Sequence, residues 1–160
     1  MKKIVILPLI LMLVLALVAC GSDNDEGLTL EERITNAIHK VAGKEVDGED
    51  SIMSLSVTFT GEGEAVRAVI KSEALSAKLF KKQLLIKSKD LLKKLSEMSE
   101  IVFVNIEWQG KFVDSYGNIK FNPVMRVDMT RETMDKINWE NFDYTRIEKI
   151  ADDYWQHMGL

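Results

Sequence analysis

Cys20 is the only cysteine in the chain, and its setting is the one place where residue type and spacing prescribe a covalent reaction. It follows Leu17-Val18-Ala19, at the end of an apolar run that begins at Ile4 and is preceded by Lys2 and Lys3. A basic start, an apolar stretch and a small residue before the cut describe a secretory leader. The stretch is about sixteen residues, short of the roughly 18 to 20 that a permanent membrane helix needs. Ordinary cleavage asks for small residues at the first and third positions before the cut, and Leu17 occupies the third. A lipobox fits instead: the Cys20 sulfur, nucleophilic as its thiolate, takes a diacylglyceryl group as a thioether, and the peptidase cuts before Cys20. Two acyl chains, at about 0.8 kcal/mol per buried methylene, hold a protein on a membrane stably. The expected product is a palmitate-type lipoprotein on the extracytoplasmic face of the cell membrane.

The rest of the chain offers little reactive chemistry. His39 and His157 fall on different predicted helices, without the pair of histidines one turn apart that a zinc site uses. Neither a glycine-rich phosphate loop nor a serine elbow occurs. Asp152, Asp153 and His157 share a predicted last helix, where Asp153 and His157, four apart, are expected to meet as a surface ion pair. Asp23 and Asp25 begin a calcium-like pattern that Gly27 breaks. The run Asp47, Glu49, Asp50 is expected to be a solvated loop. No catalytic residue, metal site or cofactor is expected, and an envelope hydrolase built on Asp152 or Asp153 with distant serines is the outlying alternative.

Those residues need a scaffold, and composition bounds it. The 160 residues are 46% hydrophobic, enough for a packed core. What remains after the leader suits one domain. With no second cysteine, stability rests on packing and not on an internal disulfide. The formal charge of −4, more negative once Lys2 and Lys3 are removed, excludes a general polyanion binder, and no nucleic-acid partner is expected. The organisation is therefore a leader over 1–19, the lipidated cysteine and a polar tether over 20–27, and one domain over 28–160. The tether reaches about 25 Å at most, which keeps the domain near the membrane.

Thr29-Leu30-Glu31-Glu32 is a capping box, opening a helix whose apolar stripe runs Leu30, Ile34, Ala37, Ile38, Val41 and which Gly43 ends. Met53, Leu55, Val57 and Phe59 alternate with Ser54, Ser56 and Thr58, an inward apolar face and an outward hydroxyl face. Gly61-Glu62-Gly63 turns the chain into a return strand over 64–71. Ser72 is expected to cap a long helix over 73–98. A long strand pair follows, 101–108 and 119–129, joined by a turn at 114–118, with Pro123 at an edge or a bulge. Thr130 caps a short helix over 131–137. After an aromatic connector over 139–144, Thr145-Arg146-Ile147-Glu148 reads as a second capping box, opening a helix with Ile147, Ile150, Ala151, Tyr154 and Met158 inward. The fold class is α+β in the order αββαββαα: a four-stranded, mainly antiparallel sheet of two hairpins joined by the long helix.

The long helix is rich in lysine, with eight between residues 71 and 98 against Glu73, Asp90 and Glu97. Lys78, Lys81, Lys82, Lys89 and Lys93 are candidate contacts for anionic lipid or wall polymer, to which each surface lysine adds about 1 kcal/mol near an anionic bilayer. The plainer alternative is a solvated helix face.

Three C-terminal stretches, Phe112-Val113-Asp114-Ser115-Tyr116-Gly117-Asn118, the run over 131–144 from Arg131-Glu132-Thr133-Met134 to Asp143-Tyr144, and Ile150-Ala151-Asp152-Asp153-Tyr154-Trp155-Gln156-His157, carry a resemblance, together with Val124-Met125. The chain from Leu28 onward resembles an uncharacterised domain of secreted and lipid-anchored proteins of Gram-positive bacteria. That resemblance implies an exported bacterial protein and carries no activity. The leading functional expectation is a membrane-anchored binding or interaction module of the cell envelope, its partner an envelope protein or polymer.

Overall fold

The computed structural model describes residues 27–73 and 77–160, the side chains of Ala77 and Lys78 excepted. The leader, the lipobox Leu17-Val18-Ala19, Cys20 and nearly all of the tether lie outside the described residues. Helix α1 spans Leu30–Ala42, and β1 (Glu45–Val46) and β2 (Glu49–Asp50) form a small hairpin. Then come β3 (Ile52–Phe59), β4 (Glu64–Ser72), α2 (Ala77–Ser96), β5 (Ile101–Val113) and β6 (Ile119–Thr130). The chain closes with α3 (Arg131–Asp135), a 3-10 turn (Tyr144–Arg146), α4 (Ile147–Ile150) and β7 (Asp153–Gln156). The expected α+β class stands, with a sheet of five strands in the order β3-β4-β5-β6-β7.

Two features correct the expected arrangement. The first is that β4 and β5 pair in parallel, from Glu64 opposite Ile101 to Ser72 opposite Gly110. Helix α2 has 20 residues. Such a helix is about 30 Å long, close to the length of the paired part of β4 at about 3.3 Å per residue, so α2 returns the chain to the end where β4 began. A strand leaving from there runs parallel to the first. The second hairpin thus joins the sheet through a strand-helix-strand crossover.

The second correction is β7. The expected last helix stops at Ile150, and Ala151 is already extended at φ −57°, ψ 142°. Thr145 does not open a capping box. Asp143 is the cap, its carboxylate accepting from the Thr145 amide at 2.9 Å. Residues 153–156 pair instead with Met125 to Asp128 of β6. The reason is backbone supply and demand, since main-chain groups must find partners. The outer edge of β6 offers carbonyls that accept from the amides of Asp152 (to Asp128, 3.0 Å) and His157 (to Val124, 2.8 Å). A helix there leaves that edge unpaired.

The core lies between one face of the sheet and the two longer helices. Cross-strand rows Val66–Val104–Met129, Ala68–Ile106–Val127 and Ile70–Trp108–Met125 are buried on this face. Helix α2 covers it with Leu84, Leu91, Leu92 and Leu95, and α1 with Ile34 and Ile38. At the centre the Trp108 indole donates to the Ser88 hydroxyl at 2.8 Å, both groups fully buried, which satisfies the one polar atom that the ring brings inside. The α1 capping box forms as expected, the Thr29 amide donating to Glu32 Oε2 at 2.7 Å. Ser72 is not a cap. It ends β4, buried, and its hydroxyl accepts from Lys87 at 3.3 Å. Pro123 sits at a bulge: Trp108 faces Met125 and Gln109 faces Pro123, so Val124 is extra, and the pairing of β6 with β7 spans only Met125 to Asp128, past it. Met53 is extra in β3 by the same device and turns outward instead of joining the expected inward row.

Candidate functional site

No described helix packs on the second face of the five-stranded sheet. Residues directly opposite in the ladder share a face, so the register gives its content. One row is Ser56–Arg67–Asn105–Asp128–Asp153, and the next is Ser54–Val69–Glu107–Arg126–Trp155. At about 4.8 Å between strands, each row is about 20 Å long. The face is polar at its centre and wet at its margins: Arg67, Asp153 and Trp155 are exposed, while Asn105, Glu107, Arg126 and Asp128 are half-buried by their neighbours.

Four side chains at the centre of this face are tied in two pairs, Asn105 with Asp128 and Glu107 with Arg126. The Asn105 amide donates to the Asp128 carboxylate. Glu107 accepts from the Gln109 amide at 2.6 Å and pairs with Arg126 at 3.4 Å. Burial pushes the Asp128 carboxyl above its ordinary range, Asn105 opposes this, and the neighbouring Asp153 carboxylate adds to the rise. Asp128 and Asp153 thus stand side by side, with Arg67 and Arg126 nearby. The complement of such a pattern is an oppositely patterned surface, and the recesses formed by the described residues lie elsewhere, beside α3 and α4 and along α1.

The residues singled out in the sequence fall elsewhere. Asp152 belongs to the helix α3 start: its carboxylate accepts from the Thr130 amide (2.7 Å), the Thr130 hydroxyl (3.0 Å) and the Thr133 hydroxyl (3.0 Å). Partial burial pushes its pKa up, and the three hydrogen bonds outweigh that and hold it below the usual range. Asp153 and His157 do not meet as a helical pair, because Asp153 starts an extended strand, β7, and His157 follows its end. Their separation grows by about 3.3 Å per residue along such a strand. The His157 ring lies 6.1 Å from that of Phe112, and His39 bonds Asp50 at 3.1 Å, in another part of the domain. Among the described residues no cluster of three or more metal-ligating side chains forms.

Of the lysines on α2, Lys81 pairs with Glu148 at 2.8 Å and Lys93 with Glu140 at 2.5 Å. Those two acids come from the C-terminal segment, which the helix sequence alone does not show. Lys82 is exposed and Lys89 half-buried, and the Lys78 side chain lies outside the described residues. Lys87 turns inward, its ammonium 5.9 Å from the Trp108 ring centre, and burial lowers its pKa.

Two smaller surface features complete the picture. A recess of about 580 Å³ is lined by Asn138, Asn141, Phe142, Asp143, Arg146 and Ile150, open to solvent. The hairpin of β5 and β6 runs beyond both neighbouring strands and exposes Val113, Ile119 and, at its tip, Tyr116, which is 91% exposed. The aromatic C-terminus divides: Trp139, Phe142, Tyr144 and Tyr154 pack on the core, while Trp155, 40% exposed, lies on the open face. Alternation along a strand was the sequence signal for that split, and helical spacing obscured it.

The architecture defines a two-layer α+β domain in which helices cover one sheet face, while the other carries no described helix and is covered only at one end, where Glu49 and Asp47 of the β1–β2 hairpin pair with Lys71 and Lys111 beside the buried Gln109. No family model, curated protein or solved structure matches the chain. No described helix is long and apolar enough to cross a membrane.

Proposed function

We propose that the protein is a binding module of the cell envelope, anchored through a diacylglyceryl group on Cys20, which engages an envelope protein or polymer with the open face of its sheet. The observation that carries this is the helix-free part of that face, where Asn105–Asp128 and Glu107–Arg126 are held in pairs between Arg67, Asp153 and the exposed ring of Trp155. Exposed aromatic and arginine side chains are the groups that dominate binding energy at protein surfaces. The recesses formed by the described residues lie away from this face, which suits recognition by surface contact, and the leader expected over 1–19 accords with an envelope location.

The anchored end also has a geometric sense. Arg33, in the first turns of α1, pairs with Glu100 at 2.5 Å, which puts the start of α1 at the end of the sheet where β5 begins. The exposed β5–β6 hairpin tip lies at the far end of that 13-residue strand. At about 3.3 Å per residue the strand carries the tip about 40 Å away. An anchor leading into the start of α1 is thus expected to leave the hairpin tip pointing away from the membrane.

Site-specific photocrosslinking in the native envelope tests the proposal. A photoreactive residue at Arg67 or Trp155 is expected to give a discrete adduct that is absent when the probe replaces Lys82 on α2. No adduct from the open face, or the same adducts from Lys82, overturns it. Adducts from Lys82 alone favour the alternative, in which the lysine-rich helix meets anionic lipid or wall polymer.

A further inference from the structure

We infer that β3 is a self-pairing edge, through which two copies of the domain join their sheets about a twofold axis at Ser56. The two edges of the five-stranded sheet are built differently. The β7 edge is short, four residues, with Asp152 and Asp153 at its start, and its other end, Gln156, lies beside the bulge at Pro123. Short length, charge and a bulge are the usual protections of an edge against adding another strand. The β3 edge is eight residues long, and from Ser51 to Thr60 the chain contains no charge and no proline. Among the described residues its one protection is the bulge at Met53, at the strand's beginning.

The sequence of β3 is symmetric in a way that suits its own copy. In antiparallel register about Ser56, Ser54 faces Thr58 of the second copy, Leu55 faces Val57, and Ser56 faces Ser56. Hydroxyl meets hydroxyl on the exposed side, aliphatic meets aliphatic on the helix side, and no like charges oppose. The backbone is also available. The Thr60 amide donates to the Gly63 carbonyl at 2.8 Å, next to the Phe59–Glu64 pair of the β3–β4 ladder. Alternation along that ladder directs the main-chain groups of Thr58, Ser56 and Ser54 inward. Those of Leu55 and Val57 therefore point to the free edge, and the twofold pair exchanges about four main-chain hydrogen bonds there.

The occupant follows from the asymmetry of the two edges. Pairing β3 of one copy with β7 of the next is a head-to-tail contact that repeats into a fibre, and the acidic, four-residue β7 resists it. Pairing β3 with β3 uses up both open edges and closes at two copies. Helices stay on one side, and the two open faces become one surface of ten strands.

The full chain in the membranes of producing cells provides the test. In the proposed register the Ser56 Cα atoms are about 4.5 Å apart, as in a non-hydrogen-bonded pair, within disulfide reach. The two Thr58 residues are about 13 Å apart along the strands and out of reach. Under oxidation, Ser56→Cys is expected to give at least about tenfold more disulfide-linked dimer than Thr58→Cys, with the unsubstituted chain, which carries Cys20, as the baseline. In mild detergent the unsubstituted chain is expected to sediment as a dimer, and Ser56→Lys, which sets two ammonium groups face to face, is expected to lower the dimer fraction at least about tenfold. Ser56 is exposed, so the change is compatible with the fold, and the cysteine experiment gives an answer without it. A monomer at all concentrations, equal crosslinking from Ser56→Cys and Thr58→Cys, or a dimer that survives Ser56→Lys overturns the inference.

Discussion

Arg131 shows how much one side chain can hold together. Its guanidinium donates to the carbonyls of Ile101 (2.8 Å), Ser96 (2.8 Å) and Met98 (2.6 Å), tying the end of α2 and the start of β5 to the start of α3. A helix end leaves carbonyls short of partners, and here one planar, permanently charged fork serves three at once. Arg131→Ala is expected to destabilise the domain by about 2 kcal/mol, and Arg131→Lys to recover less than half, because a point-like ammonium does not span all three; urea unfolding measures both. The Ser88 hydroxyl is the acceptor for the Trp108 indole N–H. Ser88→Ala is expected to cost about 1 to 3 kcal/mol by stranding that donor in the core. Asp152 and Asp128 have opposite pH signatures. Asp152 titrates below its unfolded value, so its contribution is present above the unfolded pKa and is lost as pH falls through the folded one. Asp128 titrates above its unfolded value, so the folded state loses stability as pH rises from the unfolded pKa through the folded pKa. Asp152→Asn is therefore expected to flatten the acid limb of a stability profile, and Asp128→Asn to be neutral or stabilising at pH 7 and without advantage at acid pH. A fall in stability at pH 7 for Asp128→Asn removes that account of Asp128.

At the scale of elements the C-terminal segment is the instructive case. Tyr154 and Met158 fit a helical stripe with Ile147, Ile150 and Ala151, and the stripe is misleading, because Met158 is fully exposed. Tyr154 still points inward, opposite Val127, but as every second residue of a strand. Its hydroxyl donates to Gln156 at 2.8 Å and burial pushes its pKa up. Tyr154→Ala is expected to cost about 2 kcal/mol, in keeping with a half-buried aromatic, and Trp155→Ala less than about 1 kcal/mol. Equal losses at the two positions contradict the strand. Gly63 is the other local device: a Cβ there meets the Glu100 carbonyl oxygen at 2.8 Å, where the Glu64 amide must donate to that same oxygen at 2.7 Å. Gly63→Ala is expected to loosen the junction of the β3–β4 hairpin with β5 and to lower the unfolding midpoint.

For the whole molecule, anchoring and surface charge make the predictions. Cys20→Ala is expected to leave the precursor unprocessed, and mass spectrometry of the wild-type N-terminal peptide is expected to show a diacylglyceryl adduct on Cys20; a mature start elsewhere sinks the lipoprotein proposal. The lysine face carries less uncompensated charge than its helix implies, since Glu140 and Glu148 neutralise Lys93 and Lys81. The domain over 28–160 is accordingly expected to associate weakly or not at all with anionic vesicles at about 0.1 M salt, where the screening length is about 10 Å. Strong, salt-sensitive association moves the functional surface from the open sheet face to α2.

Local signals determined the parts of this protein that depend on neighbours in sequence. The capping box at Thr29, the cap at Thr130, the glycine turns at residues 61–63 and 117, the bulge at Pro123 and the lipobox expectation at Cys20 are all matters of a few adjacent residues. The capping box and the Thr130 cap form as expected, whereas Thr145 yields to Asp143 because two acceptors compete for one turn. Tertiary structure decided what depends on a distant partner. Whether residues 153–156 coil or extend was settled by the free edge of β6, and β4 and β5 run parallel because they became neighbours in the sheet, which the long helix permits but does not by itself select. The open face is the same kind of result: Arg67, Asn105, Asp128 and Asp153 are far apart in the chain, and only strand register sets them side by side. Hydrogen-bonding demand and packing act across space, so a single strand's sequence specifies which of its faces is polar but not which other strands complete the surface.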